Sequence, residues 1–340
     1  MGTATPRDAL VVASLIGPEW RTSVLDDRAR SIMVAQGATL VDLDVDTLTP
    51  IDAALADPSE ARVLITGWGA PLLSAQLLDR FPALELIAHA AGTVRGIVGG
   101  DVWARGISVC NAAEANAVSV ADFTVAQIHL SLKNAWRLAA HAREHARQPD
   151  RAGIRGLDGA TVGLIGFGAV GRLVAERLRE HDVRVLVFDP FLSTESAVGS
   201  DVEQVGLEEA FERSDVLSLH APLTENSRHM VGRELLLSMP RRATLINTAR
   251  GGLIDHEVLG LVLAERPDLF ALLDVTEPEP LPAGHPLFGL ANTFLTPHIA
   301  GSLGSEEARL GALVAHEVVR FAQGLPLQHA LEESRVALSA

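Results

Sequence analysis

"VGLIGFGAVGR", Val162 to Arg172, places glycines at 166, 168 and 171 in the spacing G-x-G-x-x-G. In a chain with 29 glycines this spacing has two explanations: a turn that cradles a dinucleotide, or one that only lets a strand meet a helix closely. The flanks decide between them. Thr161 to Ile165 is an apolar run that predicts a strand, while Val170, Leu173, Val174 and Leu178 recur as the apolar stripe of a helix. In that setting Gly166 permits the tight turn, Gly168 lets backbone approach a pyrophosphate, and Gly171 lets helix and strand pack closely. Phe167, Ala169 and Val170 complete the loop, and the helix start offers unpaired N–H groups to phosphate.

The next apolar run, "VRVLVFDP", ends in Asp189, 18 residues after Gly171. A carboxylate there accepts hydrogen bonds from the adenosine ribose hydroxyls. A 2′-phosphate would meet like charge, and the following Pro190-Phe191 offers no arginine to offset it, so NAD is favoured over NADP. FAD is a rival because it shares the fingerprint, and an S-adenosylmethionine enzyme is a weaker one. Asp189-Pro190 could also be simply a turn at a strand end.

Outward from this unit, Val-, Ile- and Leu-rich runs alternate with amphipathic stretches, the pattern of parallel strands joined by crossover helices. Before the glycine motif the expected strands are Leu10 to Leu15, Thr39 to Leu43, Arg62 to Thr66, Leu84 to Ala90 and Ile107 to Cys110. Helices are expected over Val24 to Gln36 and Ala75 to Phe81, and one long helix over Val118 to Arg147 as a bridge between domains. Gln148 to Gly159 is turn-rich and reads as a loop. The later strands are expected at Val183 to Phe188, Val216 to His220, Leu245 to Asn247, Ala271 to Val275 and Thr293 to Leu295. A last amphipathic helix, Glu306 to Phe321, carries Leu310, Leu313, Val314 and Val318 on one face.

Composition narrows the partners. At 340 residues the chain exceeds what one core usually supports, so two domains are expected. The net charge of −15 repels a nucleic-acid backbone. The single cysteine, Cys110, excludes an internal disulfide and a Cys-rich zinc site, in keeping with a cytoplasmic protein, and reads as a small buried hydrophobe. His141 and His145 share a helix face without a third ligand, so a solvated surface is preferred to a metal site. Ala9 to Gly17 is broken by Ser14 and lacks the flanks of a signal peptide, and no run reaches the roughly 18 apolar residues of a membrane span. No membrane partner is expected.

Three later segments carry charge directly after an apolar strand: "LINTARGGLID", "LLDVTEPEPL" and "FLTPHIAGS". Ligands of parallel α/β sheets sit beyond the carboxyl ends of strands, so Arg250, Asp274, Glu279 and His298 could converge on one crevice. Singly, each has a structural explanation as well: an exposed arginine, a capping histidine, one acid among several.

With "GFGAVG", "FDP", "SDVLSLHAPLT", "INTARGGLID", "DVTEPEP" and "LTPHIAGS" in this order over roughly Asn111 to Gly301, the chain resembles the D-isomer-specific 2-hydroxyacid dehydrogenases. The resemblance implies an α/β fold of two doubly wound parallel-sheet domains. One is a flavodoxin-like substrate domain (1–112 plus 303–340), the other a Rossmann NAD-binding domain (113–302), with the active-site cleft between them. It implies a homodimer as well. The family's catalytic residues fall on Arg250, Glu279 and His298, with Glu277 a nearby alternative to Glu279. Its cofactor contacts fall on His220, Ala221, Pro222, Thr248, Ala249, Asp274 and Ala300, beside the glycine loop, Asp189 and Pro190.

The chemistry suits these residue types. A guanidinium clamps a 2-oxo acid's carboxylate bidentately, and an imidazolium oriented by a carboxylate delivers a proton to the carbonyl oxygen as hydride arrives.

One loop departs from the family pattern. Where many relatives carry G-x-G-x-D, this chain has "AHAAGTVRGIVGGD"; Gly92 and Thr93 retain the amides for a substrate carboxylate, and Arg95 is either a second cationic contact or an exposed loop residue. Trp68 in "TGWGAPLL" suggests an apolar contact that disfavours a phosphorylated substrate. The expected function is hydride transfer between NAD(H) and a small 2-oxo or D-2-hydroxy acid. The alternative is an NAD(H)-sensing binding protein or corepressor on the same scaffold.

Overall fold

The computed structural model describes residues 10–52, 56–193, 199 and 201–336. These form two compact units, one reaching to Asn116 and resuming at Ser302, the other spanning Ala117–Gly301. The expected outer domain limits, residues 1 and 340, and Ala9 of the first apolar run lie outside the described residues.

The first unit is built on five parallel strands, β1 (Leu10–Leu15), β2 (Ala38–Asp42), β3 (Val63–Thr66), β4 (Leu86–His89) and β5 (Ser108–Asn111), in the order β2-β1-β3-β4-β5. Every residue of β1, β3 and β4 is buried, as expected of a sheet covered on both faces. The helix expected over Val24 to Gln36 is Asp27–Val34; a separate helix, Pro18–Val24, precedes it and was not anticipated. The break has a local cause: Asp26 accepts the Ala29 amide at 2.8 Å and so caps a new helix. Helix Glu307–Ala322 turns Leu310, Val314 and Val318 into this core, and at Gly311 it lies so close to the Val24 carbonyl that no side chain would fit.

The second unit has seven parallel strands: β6 (Ala160–Ile165), β7 (Val183–Phe188), β8 (Glu203–Gln204), β9 (Val216–Leu219), β10 (Thr244–Asn247), β11 (Phe270–Leu273) and β12 (Thr293–Leu295). Their order is β12-β11-β10-β9-β6-β7-β8. The chain grows outward from β6 through β7 to β8, then returns to the other side of β6 with β9. That reversal makes the β6/β9 boundary the topological switch point, where α/β sheets bind ligands.

The expected single helix Val118 to Arg147 is corrected to two, Ala113–Leu132 and Ala135–His145. Between them Asn134 takes φ +53°, a left-handed conformation that asparagine tolerates and that interrupts the helical ladder. The turn lets Trp136 stack on Phe294 of β12 with ring centroids 4.1 Å apart. The edge strand β8 was not anticipated; two exposed residues, Glu203 and Gln204, carry no apolar alternation. Among the described residues no helix is long and apolar enough to cross a membrane.

Candidate functional site

The three glycines after β6 serve different ends. Gly166 has φ +99°, and a Cβ there would lie 2.7 Å from the Ala221 nitrogen and the His220 carbonyl carbon, so the chain leaving β9 requires it. At Gly171 a Cβ would fall on the Gly166 carbonyl oxygen, so the helix Ala169–Leu178 could not approach β6. A Cβ at Gly168 would meet no atom of the neighbouring elements within 4 Å. Gly166 thus admits the chain leaving β9 and Gly171 the approach of the helix, while Gly168 leaves open the space at a helix N-terminus where an anion is favoured.

Asp189 follows β7 and binds the same loop. Its carboxylate accepts the Phe167 amide at 2.7 Å and the Phe191 amide at 2.8 Å, leaving each oxygen a further lone pair for a ribose hydroxyl. Pro190 is exposed beside it. Across the switch point the His220 amide donates to the Ile165 carbonyl at 2.7 Å. Its imidazole is pushed down to about 4 by burial, and its Nε2 has no protein partner, an orphaned polar atom beside the topological switch point. The Pro222 carbonyl, next to half-buried Ala221, accepts the Ser227 hydroxyl at 2.6 Å, which fixes the turn.

Arg250, Glu279 and His298 lie on the loops following β10, β11 and β12, three neighbouring strands. Buried Asn247 ends β10 and folds the first loop: its Oδ1 accepts the Ala249 amide at 3.0 Å and its Nδ2 donates to the Arg250 carbonyl at 2.9 Å. Thr248 shares a hydrogen bond with Thr124 at 3.0 Å. Arg250 Nη1 donates to the Ala249 carbonyl at 2.6 Å.

Asp274, 3 % exposed, organises the third loop. Its Oδ1 accepts the Thr296 hydroxyl at 2.6 Å and the Ile299 amide at 2.9 Å; its Oδ2 accepts the Ala300 amide at 2.9 Å. Its carbonyl takes the His298 amide at 2.9 Å. Held so, His298 adopts φ +56°, and its Nδ1 meets Glu279 Oε1 at 2.6 Å. Glu277, the alternative carboxylate, is engaged elsewhere, with Arg228 Nη1 at 2.6 Å and His229 Nε2 at 3.4 Å. The Arg228 guanidinium holds the Glu277 carboxyl below the usual range.

The remaining candidates belong to the first unit. The Gly92 carbonyl accepts Asn111 Nδ2 at 2.6 Å, the Thr93 hydroxyl accepts the Arg95 amide at 3.3 Å, and Arg95 Nε donates to the Val336 carbonyl at 3.4 Å. Trp68 packs on Trp20 at 5.9 Å. Sequence reasoning passed over Asn247, Thr296 and Asn111, although each is a polar residue at or just beyond the end of an apolar strand.

The sequence profile of the D-isomer specific 2-hydroxyacid dehydrogenase NAD binding domain matches residues 125–300. The (S)-sulfolactate dehydrogenase of Chromohalobacter salexigens is 34 % identical over 294 residues, 83 % of this chain and 94 % of that protein. The chain belongs to the D-isomer-specific 2-hydroxyacid dehydrogenases. This dehydrogenase is also similar to the glyoxylate reductase of Korarchaeum cryptofilum, 33 % identical over 256 residues, 74 % of this chain and 77 % of that one. Among solved structures it is similar to a phosphoglycerate oxidoreductase from Rhizobium etli, with a TM-score of 0.79 and 25 % identity over 97 % of this chain and 100 % of that one. As a member of the family it is an NAD-dependent oxidoreductase acting between 2-hydroxy and 2-oxo acids.

Proposed function

We propose that this dehydrogenase reduces a small, unphosphorylated 2-oxo acid such as glyoxylate, with Arg250 as carboxylate clamp, His298 as proton donor and Glu279 as the group that orients it. The observation that carries this reading is the Glu279–His298 pair, 2.6 Å between Oε1 and Nδ1, which joins the loop after β12 to the loop after β11, itself packed against the loop of Arg250. With Nδ1 engaged, Nε2 is the nitrogen left to exchange a proton with the substrate.

The glycine loop (Gly166 to Gly171), Asp189, Pro190, His220, Ala221, Pro222, Thr248, Ala249, Asp274 and Ala300 would hold NAD. When bound, NADH supplies the hydride. The chain's own residues do the rest. Arg250 binds the substrate carboxylate through two parallel N–H donors, orienting the ketone. His298 gives a proton to the carbonyl oxygen in reduction and takes it back in oxidation. Gly92 and Thr93 offer amides to the carboxylate, with Arg95 and Trp68 as neighbouring contacts.

The same proposal includes a cytoplasmic homodimer; light scattering of the purified protein tests the dimer. Loss of NADH absorbance with glyoxylate, hydroxypyruvate, pyruvate and branched 2-oxo acids tests the activity. Turnover lost in His298→Ala supports the assignment; tight NADH binding without turnover on the whole panel returns the sensor reading.

A further inference from the structure

The loop bearing Arg250 and the loop bearing Glu279 touch at a place that the chemistry above leaves unexplained. A Cβ on Gly251 would fall on the Thr276 backbone, and one on Gly252 would lie 2.9 Å from Glu277 Oε2. Glu277 is tied in turn to Arg228 and His229 at 2.6 and 3.4 Å. The His229 amide closes the circuit by donating to the Gly252 carbonyl at 2.8 Å, and His229 itself takes φ +52°. One carboxylate oxygen thus sits where three loops meet, those following β9, β10 and β11.

From this geometry we infer that Glu277 is a positioning residue for the reaction: through Arg228 and His229 it holds the Arg250 loop in register with the Glu279–His298 pair. The inference rests on the roles proposed for Arg250, Glu279 and His298. Glu277 touches none of the reacting atoms. Its effect arises because a carboxylate clamp and a proton donor on separate loops are productive only at a fixed separation, and a shift of about 1 Å costs on the order of 10²-fold in rate. An exposed ion pair contributes little to stability, so a positioning role and a structural one have different signatures.

The experiment compares wild type with Glu277→Gln, Arg228→Met, Arg228→Lys and Gly252→Ala, using glyoxylate reduction, NADH affinity by fluorescence and thermal melting. The expected result is a five- to fifty-fold fall in kcat for Glu277→Gln, Arg228→Met and Gly252→Ala, with NADH affinity within twofold. Melting of the two charge variants should be nearly unchanged, and Arg228→Lys should recover part of the rate. Added salt, which screens the pair, should lower kcat in wild type more than in Glu277→Gln. Wild-type kcat in Glu277→Gln and Arg228→Met overturns the inference, as does a loss that follows melting alone. Arg250→Ala and His298→Ala are run alongside: if they stay active, the proposed roles fail, whereas loss there with no change at Glu277 refutes only the positioning.

Discussion

Gly171 lies against the carbonyl oxygen of Gly166 so closely that a methyl group cannot be placed between them, while a methyl group on Gly168, three residues before, would point into open space. Glycines of one motif are therefore separable by experiment. Gly171→Ala is expected to lower the melting temperature by several degrees, because helix Ala169–Leu178 must move off the sheet. Gly168→Ala should melt like wild type and bind NADH at least tenfold more weakly. Melting curves with and without NADH distinguish the two.

Asn247 shapes the Arg250 loop from within the protein. Asn247→Ala leaves the Ala249 amide and the Arg250 carbonyl without the side chain that satisfies them. A buried unsatisfied group costs about 1–3 kcal/mol, so urea unfolding should show a loss of roughly 2–4 kcal/mol, together with a raised KM for the 2-oxo acid. An unchanged unfolding midpoint would show that the turn holds without it.

For the acid–base pair, His298→Ala should lower kcat by ~10²–10⁴-fold. Glu279→Gln should cost less, about 10-fold or more, since it acts only through the imidazole. The double variant should be no worse than His298→Ala, because groups acting as a unit are not additive. Steady-state kinetics of the three proteins with glyoxylate check this.

Two of the buried histidines should make the fold acid-sensitive. Burial pushes the imidazoles of His89 and His220 down to about 4 from an ordinary value of 6.5. The fold thus requires them neutral while the unfolded chain protonates first. Their contribution is complete above about pH 6.5, declines as the pH falls toward 4, and amounts to at most roughly 3 kcal/mol each. Asp268, held at about 2 by Arg266, loses its contribution only below its ordinary 3.8. Urea midpoints at pH 7 and pH 5 should therefore differ, and His220→Asn should flatten the difference.

Much of the fold could be read in advance because parallel strands buried on both faces must be apolar runs, as β1, β4 and β6 are. Boundaries were less legible. Asn134 divides a segment whose apolar periodicity runs on across it, and Asp26 sets a helix start that the periodicity places earlier, since a cap or a left-handed turn depends on one residue rather than on a pattern. The exposed two-residue strand β8 carried no signal at all.

The amino-acid order alone specified the strand–turn–helix of the glycine loop, the acidic end of β7 and the charged residues after β10, β11 and β12, since each is a local pattern of apolar and polar residues. Only the tertiary structure decided which glutamate faces His298 and which is drawn to Arg228 and His229. Glu277 and Glu279 are two residues apart in one acidic, proline-rich loop and chemically alike. Their partners come from the loops after other strands, His298 after β12 and Arg228 and His229 after β9, and loop packing beyond the sheet selects between them.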